Sequence, residues 1–188
     1  MRVFLDFEAS SLADDSYPIE VGWVFEDGAA EDHLIRPAPN WRDWDRGAEA
    51  IHGITRAVLE AEGRPHDQVA RRMLERLDGH QLYATAPSWD GKWLSVLLRA
   101  AGLPRHALRL RDSDEAHLEA AEAELAGAVE PDELRRAAQE VLRRARADFA
   151  EAPVRHRACE DAAQERRLWL EVRRLAALQA RQGPRPNG

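Results

Sequence analysis

Asp6 and Glu8 stand two residues apart in a stretch that alternates, with Val3, Leu5 and Phe7 on one side and Phe4, Asp6 and Glu8 on the other. Alternation with a period of two is the mark of a β-strand. On a strand both carboxylates project from one face, roughly 6–7 Å apart at the backbone. Carboxylates so placed can share divalent cations. A dinuclear centre needs cations about 3.5–4 Å apart with carboxylates bridging and flanking them, and its chemistry is activation of a water and stabilisation of the leaving oxygen in phosphodiester hydrolysis. Two acids among Val3, Phe4, Leu5 and Phe7 would be costly to bury without such cations. Acidic residues at strand ends are nevertheless common, so the pair alone does not establish a metal centre.

Further acids occur downstream, each with a purely structural alternative. Asp90 follows Trp89 at the start of a helical stretch, where an aspartate can cap the free amides of the first turn. Asp161, beside Glu160, lies near the start of the last helical stretch, where acids are favoured by the helix dipole. His156 gains meaning only with Asp161. The spacing His-x-x-x-x-Asp puts the two about 140° apart on a regular helix, so they converge only if His156 sits on the preceding loop or first turn. Pro153, which disfavours helix just before it, supports that placement.

These residues need a scaffold, and the rest of the sequence supplies one. Arg2 to Phe7 reads as a strand. Tyr17 to Phe25 reads as a second, and Glu31 to Arg36 as a third, joined to it through the turn residues Glu26-Asp27-Gly28. Asn40 to Ala50 reads as a loop carrying Trp41 and Trp44, and Ile51-His52-Gly53-Ile54-Thr55 leads into helical sequence. From Pro65 the positions Val69, Met73, Leu74 and Leu77 have helix spacing, with Gly79 as the stop. Gln81 to Ala86 reads as a strand, the stretch with Trp93, Leu94, Leu97 and Leu98 as a helix ending at Gly102, and Leu108 to Leu110 as a fifth, edge strand. Beyond it the sequence is helical. Leu134, Ala138, Val141, Leu142, Ala145 and Phe149 form an apolar stripe in a segment opening at Pro131, and a last helix runs from about Ala158 to Ala180. The expectation is an α/β or α+β domain with a mixed sheet.

Composition narrows the class. The chain has 188 residues, 44% apolar and 32% charged, which fits a globular domain. No stretch approaches the ~20 apolar residues that span a bilayer. The first apolar run, Val3 to Leu5, is too short for a secretory signal, so no membrane and a cytoplasmic location are expected. Cys159 is the only cysteine, which excludes an internal disulfide framework and a cysteine-based zinc site; a small buried thiol is its simplest reading. The net charge of −7 lacks the basic excess of many passive nucleic-acid binders but suits a site that must hold cations. Lys92 is the only lysine among 27 basic residues. Arginine suits phosphate recognition, though a coding bias explains the excess as well.

Asp6-Phe7-Glu8, Trp89-Asp90 and His156-x-x-x-x-Asp161, in that order, resemble the DEDDh family of 3′→5′ exonucleases, within the ribonuclease H-like superfamily. Pro18-Ile19-Glu20-Val21-Gly22-Trp23-Val24 and Ile51-His52-Gly53-Ile54-Thr55 also match segments typical of that family, so the resemblance covers about residues 1–180. It implies a five-stranded mixed sheet flanked by helices, in one exonuclease domain over 1–182; Gly183 to Gly188 reads as a disordered tail. It implies that Asp6, Glu8, Asp90 and Asp161 ligate two divalent ions, Mg²⁺ or Mn²⁺, with Glu8 and His156 catalytic and His156 taking the proton of the attacking water. The expected partner is the 3′ end of single-stranded DNA or RNA; a homodimer is compatible. The family's first motif continues Thr-Thr-Gly-Leu, whereas here it reads Ala9-Ser10-Ser11-Leu12. Ser10 and Leu12 remain expected contacts to the terminal nucleotide, and His52 is a further one.

Trp89 is a further expected substrate residue, since Trp89 and Trp93 could stack on a base, although tryptophans more often fill a core. Arg155, Arg157, Arg166 and Arg167 surround the last motif and could meet phosphates; a solvated helix face explains them equally. Two other functions fit the same acids: a metal-dependent phosphoesterase acting on small nucleotides, and a nucleic-acid-binding module that kept the fold without catalysis. A helical interaction protein, suggested by the Arg/Glu-rich second half, leaves Asp6 and Glu8 unexplained.

Overall fold

The structure, a computed structural model, describes residues 1–149 and 156–182. Its frame is a mixed six-stranded sheet in the order β4-β3-β2-β1-β5-β6. The strands are β1 (Arg2–Ala9), β2 (Pro18–Phe25), β3 (Ala30–Arg36), β4 (Arg64–Pro65), β5 (Gln81–Ala84) and β6 (Leu110–Asp112). The hairpin read from Glu26-Asp27-Gly28 is present: β2 pairs antiparallel with β3 and with β1. β5 runs parallel to β1 and to β6. β1 and β2 therefore sit at the centre, and every residue of β2 is buried.

The helices are α1 (Arg46–His52), α2 (Arg56–Glu62), α3 (His66–Leu77), α4 (Pro87–Ala100), α5 (Ser113–Leu125), α6 (Leu134–Phe149) and α7 (Ala158–Arg181). The described residues form two compact units. One holds residues 1–112 together with the start of α7; the other holds α5, α6 and the rest of α7. In the first unit, Val3, Leu5 and Phe7 on one face of β1 join Trp23 of β2, Met73 of α3 and Leu97 of α4 in one apolar core. In the second, Leu118 and Leu125 of α5 meet Ala138, Val141 and Leu142 of α6 and Val172 of α7. The stripe read on 134–149 is thus the buried face of α6. No helix among the described residues is long and apolar enough to cross a membrane.

Three local readings change. The stretch read as a loop up to Ala50 contains α1, because the Asp45 side chain accepts hydrogen bonds from Gly47 N and Ala48 N and nucleates a turn. The edge strand expected over Leu108 to Leu110 begins at Leu110 instead, and Leu108 is a core residue. The five strands expected are joined by β4, two residues long and parallel to Ile35 and Arg36. So short a strand, ending in a proline, has no periodicity to reveal it. Pro153 and residues 183–188 lie outside the described residues.

Candidate active site

Register places the first two acids. In the β1–β2 ladder Asp6 lies opposite Gly22 and Glu8 opposite Glu20, so both carboxylates project from the middle of the sheet on the face opposite Val3, Leu5 and Phe7. Asp90 arrives on α4. The structural alternative, a helix cap, does not hold: Ala86 is the N-cap, with no side-chain bond, and Pro87 opens the helix. Asp90 lies one turn in, its backbone N bonded to Ala86 O at 3.0 Å, and its residue is only 2% exposed. A cap would face the free amides; Asp90 is directed inward instead. Asp161 lies in the first turn of α7, its backbone N bonded to Arg157 O at 3.0 Å.

His156 sits just ahead of α7, outside the helix, at φ 49°. Among the described residues it is the one non-glycine with positive φ, a left-handed conformation that costs about 1–3 kcal/mol and persists where the surroundings enforce it. That turn resolves the helical-spacing problem. A ring nitrogen of His156 and carboxylate oxygens of Glu8 and Asp161 all lie within 4.8 Å of one another.

The acids repel one another in a poorly solvated place. Burial, then Asp90, Glu8, Asp161 and Glu20, push the Asp6 carboxyl well above its ordinary range. Glu8 is raised to about 7 by burial, then by Asp161 and Glu20, with Arg157 opposing. Burial also raises Asp90 to about 7, against backbone hydrogen bonds at Ala86 and Phe7 that favour its charged form. Asp161 is raised by burial while His156 pulls it down. A hard, oxygen-rich donor set whose members resist ionising beside one another is what divalent cations relieve.

Glu20 is the residue that motif reading passed over. It is 1% exposed. Its Oε1 accepts from Arg157 Nη2 at 2.6 Å and Nε at 3.0 Å, and its Oε2 accepts from Arg157 Nε at 3.1 Å and the backbone N of Ala158 at 3.0 Å. The signal was present: Glu20 is the sole acid within the apolar run Pro18–Phe25, and a buried charge demands partners.

The expected substrate residues divide. Ser10 is 1% exposed; its hydroxyl donates to Asp43 Oδ2 at 2.7 Å and accepts from Tyr17 N at 3.1 Å. Its hydroxyl therefore ties the loop to Asp43 and Tyr17. Ser11, where the motif that the sequence resembles has glycine, also donates to Asp43, at 2.6 Å, and accepts from Ala13 N. No positive φ is needed there, so serine replaces glycine without strain. Leu12 is 70% exposed at the tip of the same loop.

His52 is buried, and its Nδ1 accepts from Ile54 N at 3.0 Å. The hydrogen therefore resides on Nε2, a buried atom without a hydrogen-bond partner. Burial lowers the His52 pKa, and the charges of Glu20, Glu49, His156 and Arg157 act on it. Trp93 is a core residue whose Nε1 donates to Ser16 Oγ at 3.0 Å. Trp89 is half-buried beside it, ring centroids 5.6 Å apart, with Lys92 Nζ 4.9 Å over its ring. Arg157 is spent on Glu20, and Arg155 lies outside the described residues.

No protein-family model matches the sequence, and no curated protein is detectably similar to it. Solved structures are. E. coli exonuclease I in complex with a dA16 oligonucleotide superposes with a TM-score of 0.63 at 18% identity, over 94% of this chain and 42% of that one. The zinc-bound form of the E. coli exonuclease I–single-stranded DNA complex gives 0.61 at 17% identity, over 89% of this chain and 39% of the other. Exonuclease I from Methylocaldum szegediense gives 0.53 at 15% identity, over 69% and 30%. The chain spans about two-fifths or less of the length of these proteins. At such identities the likeness is one of fold: this chain shares the mixed-sheet α/β architecture of exonuclease I.

Proposed function

We propose that the chain is a two-metal-ion 3′→5′ exonuclease that removes nucleoside 5′-monophosphates from the 3′ end of single-stranded DNA or RNA. The observation that carries this is the convergence of Glu8, Asp161 and His156 within 4.8 Å, beside Asp6 and Asp90 on the same electrostatic cluster. Support for the substrate comes from the shared fold with exonuclease I, whose structures include single-stranded DNA complexes.

Asp6, Glu8, Asp90 and Asp161 would hold the cations. When bound, two divalent ions would supply charge neutralisation at the phosphate and activation of the attacking water. The chain's residues do the rest. An imidazole nitrogen of His156, held beside Glu8, accepts the proton of that water. Glu8, pushed to about 7, would help hold the cations and orient the reacting groups. His52 offers its Nε2–H to a substrate oxygen, since a buried donor without a partner is costly until one is provided. Exposed Leu12 and half-buried Trp89 would lie against the terminal nucleotides.

Digestion of 5′-labelled single-stranded DNA, single-stranded RNA, duplex DNA and dinucleotides with Mg²⁺ or Mn²⁺ tests the reading. A ladder shortening from the 3′ end with release of 5′-monophosphates is expected. Internal fragments, shortening from the 5′ end, or full turnover in excess chelator would overturn it. Cleavage confined to dinucleotides would favour the small-nucleotide phosphoesterase.

A further inference from the structure

Resting on that exonuclease reading, we infer that Glu20 is a positioning residue for His156, fastening Arg157 and the first amide of α7 to β2 so that the imidazole stands beside Glu8. Glu20 lies directly across the ladder from Glu8. Both of its oxygens are taken: Oε1 by Arg157 Nη2 and Nε, Oε2 by Arg157 Nε and the Ala158 amide. It is therefore not free to ligate a cation, although it is a buried acid next to acids. Its charge is an electrostatic liability to them, since it raises the pKa of both Asp6 and Glu8. What it provides in return is a fixed point. The two residues immediately after His156 are locked to the central sheet, and His156 itself is turned into the left-handed region at φ 49°, a conformation that needs its surroundings to enforce it.

The clamp also decides what Arg157 does. Its guanidinium makes a forked pair with Glu20, so its role is to hold the loop and not to meet the substrate's phosphates. A phosphate contact would show in KM; a clamp that aims His156 shows in kcat.

The experiment compares wild type with Glu20→Gln, Arg157→Ala, His156→Ala and the Glu20→Gln/His156→Ala double variant. It reads kcat and KM on 5′-labelled single-stranded DNA with Mn²⁺, and hydrogen exchange at the Ala158 amide. Glu20→Gln is expected to lower kcat roughly 10- to 100-fold, the usual worth of a group that orients catalytic ligands, with KM held within about threefold and faster exchange at Ala158. In the His156→Ala background the same change should cost nothing further, because the group it aims is gone. An additive loss in the double variant overturns the proposal, as does wild-type kcat in Glu20→Gln. Arg157→Ala cuts the same clamp from its solvent side, the Arg157 side chain being 44% exposed, and serves if Glu20→Gln does not fold. A rise in KM with kcat unchanged in that variant makes Arg157 a phosphate contact and sinks the clamp. Lack of 3′-end hydrolysis by wild type fails the exonuclease reading alone. The clamp is then decided by Ala158 exchange and the His156 ring resonances, which overturn it if Glu20→Gln leaves both unchanged.

Discussion

A Cβ built on Gly22 would stand 2.2 Å from the backbone N of Cys159 and 2.4 Å from its Cα. The first turn of α7 therefore lies directly on β2, at the strand position opposite Asp6. This close approach lets a helix bearing Asp161 reach the strand that bears Asp6 and Glu8. Even a methyl group at position 22 meets backbone, which cannot rotate away. Gly22→Ala is expected to cost at least about 1–3 kcal/mol, the range for overpacking, and to depress turnover because the helix must lift. Denaturant midpoints and kcat check this; wild-type values of both would mean the helix does not sit there.

The raised carboxyls of the acid cluster make stability depend on pH and on cations. Glu8 and Asp90 have folded-state pKa values of about 7, above their ordinary 4.5 and 3.8. Between about 4 and 7 the folded protein thus binds more protons than the unfolded chain, and stability falls as pH rises through that window. In chelator, the melting temperature should decline from pH 4.5 to 7.5. Added Mg²⁺ or Mn²⁺ should restore it at pH 7.5. Asp6→Asn or Asp90→Asn should raise metal-free stability at neutral pH while abolishing hydrolysis. A melting curve indifferent to pH and cation, or an active Asp6→Asn protein, would remove the metal-site assignment.

Much of this arrangement was legible in the sequence because it follows from short-range rules. The alternation that puts Asp6 and Glu8 on one strand face, the turn at Glu26-Asp27-Gly28 and the stripe of α6 are all local patterns, and each matches the structure. What sequence missed depends on contacts distant in the chain. The Ser10 hydroxyl is taken by Asp43, 33 residues on, a partner that no local pattern indicates. Glu20 and Arg157 are 137 residues apart, and no periodicity connects them; only the anomaly of an acid in a buried strand hinted at a partner.

Two neighbouring tryptophans should respond differently to truncation. Trp93 is 7% exposed and tied to Ser16, so Trp93→Ala should destabilise by roughly 3–5 kcal/mol. It should also free the loop between β1 and β2, which Lys92 holds as well through Ala13 O and Ser16 Oγ. Trp89 retains solvent access, and Trp89→Ala should cost less stability while weakening single-strand binding by about 1–3 kcal/mol if a base stacks on it. Thermal melts and a fluorescence binding titration distinguish them. Equal loss of stability in both variants, with affinity unchanged, would make Trp89 core as well.

The left-handed backbone at His156 supplies a control for its role as proton acceptor. Removing the imidazole should cut turnover by roughly 10²- to 10⁴-fold, the worth of a positioned base, with substrate and cation binding nearly intact. Alanine alone cannot test this cleanly, because Ala is strained at φ 49° and its loss of turnover could come from a relaxed loop. Asparagine tolerates the left-handed region several-fold better than most residues and is close in size to the ring it replaces, but at neutral pH it cannot take up a proton. His156→Asn should therefore melt at or above the wild-type temperature, keep the slow exchange of the Ala158 amide, and still lose turnover as fully as His156→Ala. Because the side chain is exposed, no cavity is created that could confuse the comparison. If His156→Asn turns over within about tenfold of wild type, below the usual worth of a general base, the imidazole is not the proton acceptor. The base must then be sought among Glu8 and the other carboxylates of the cluster.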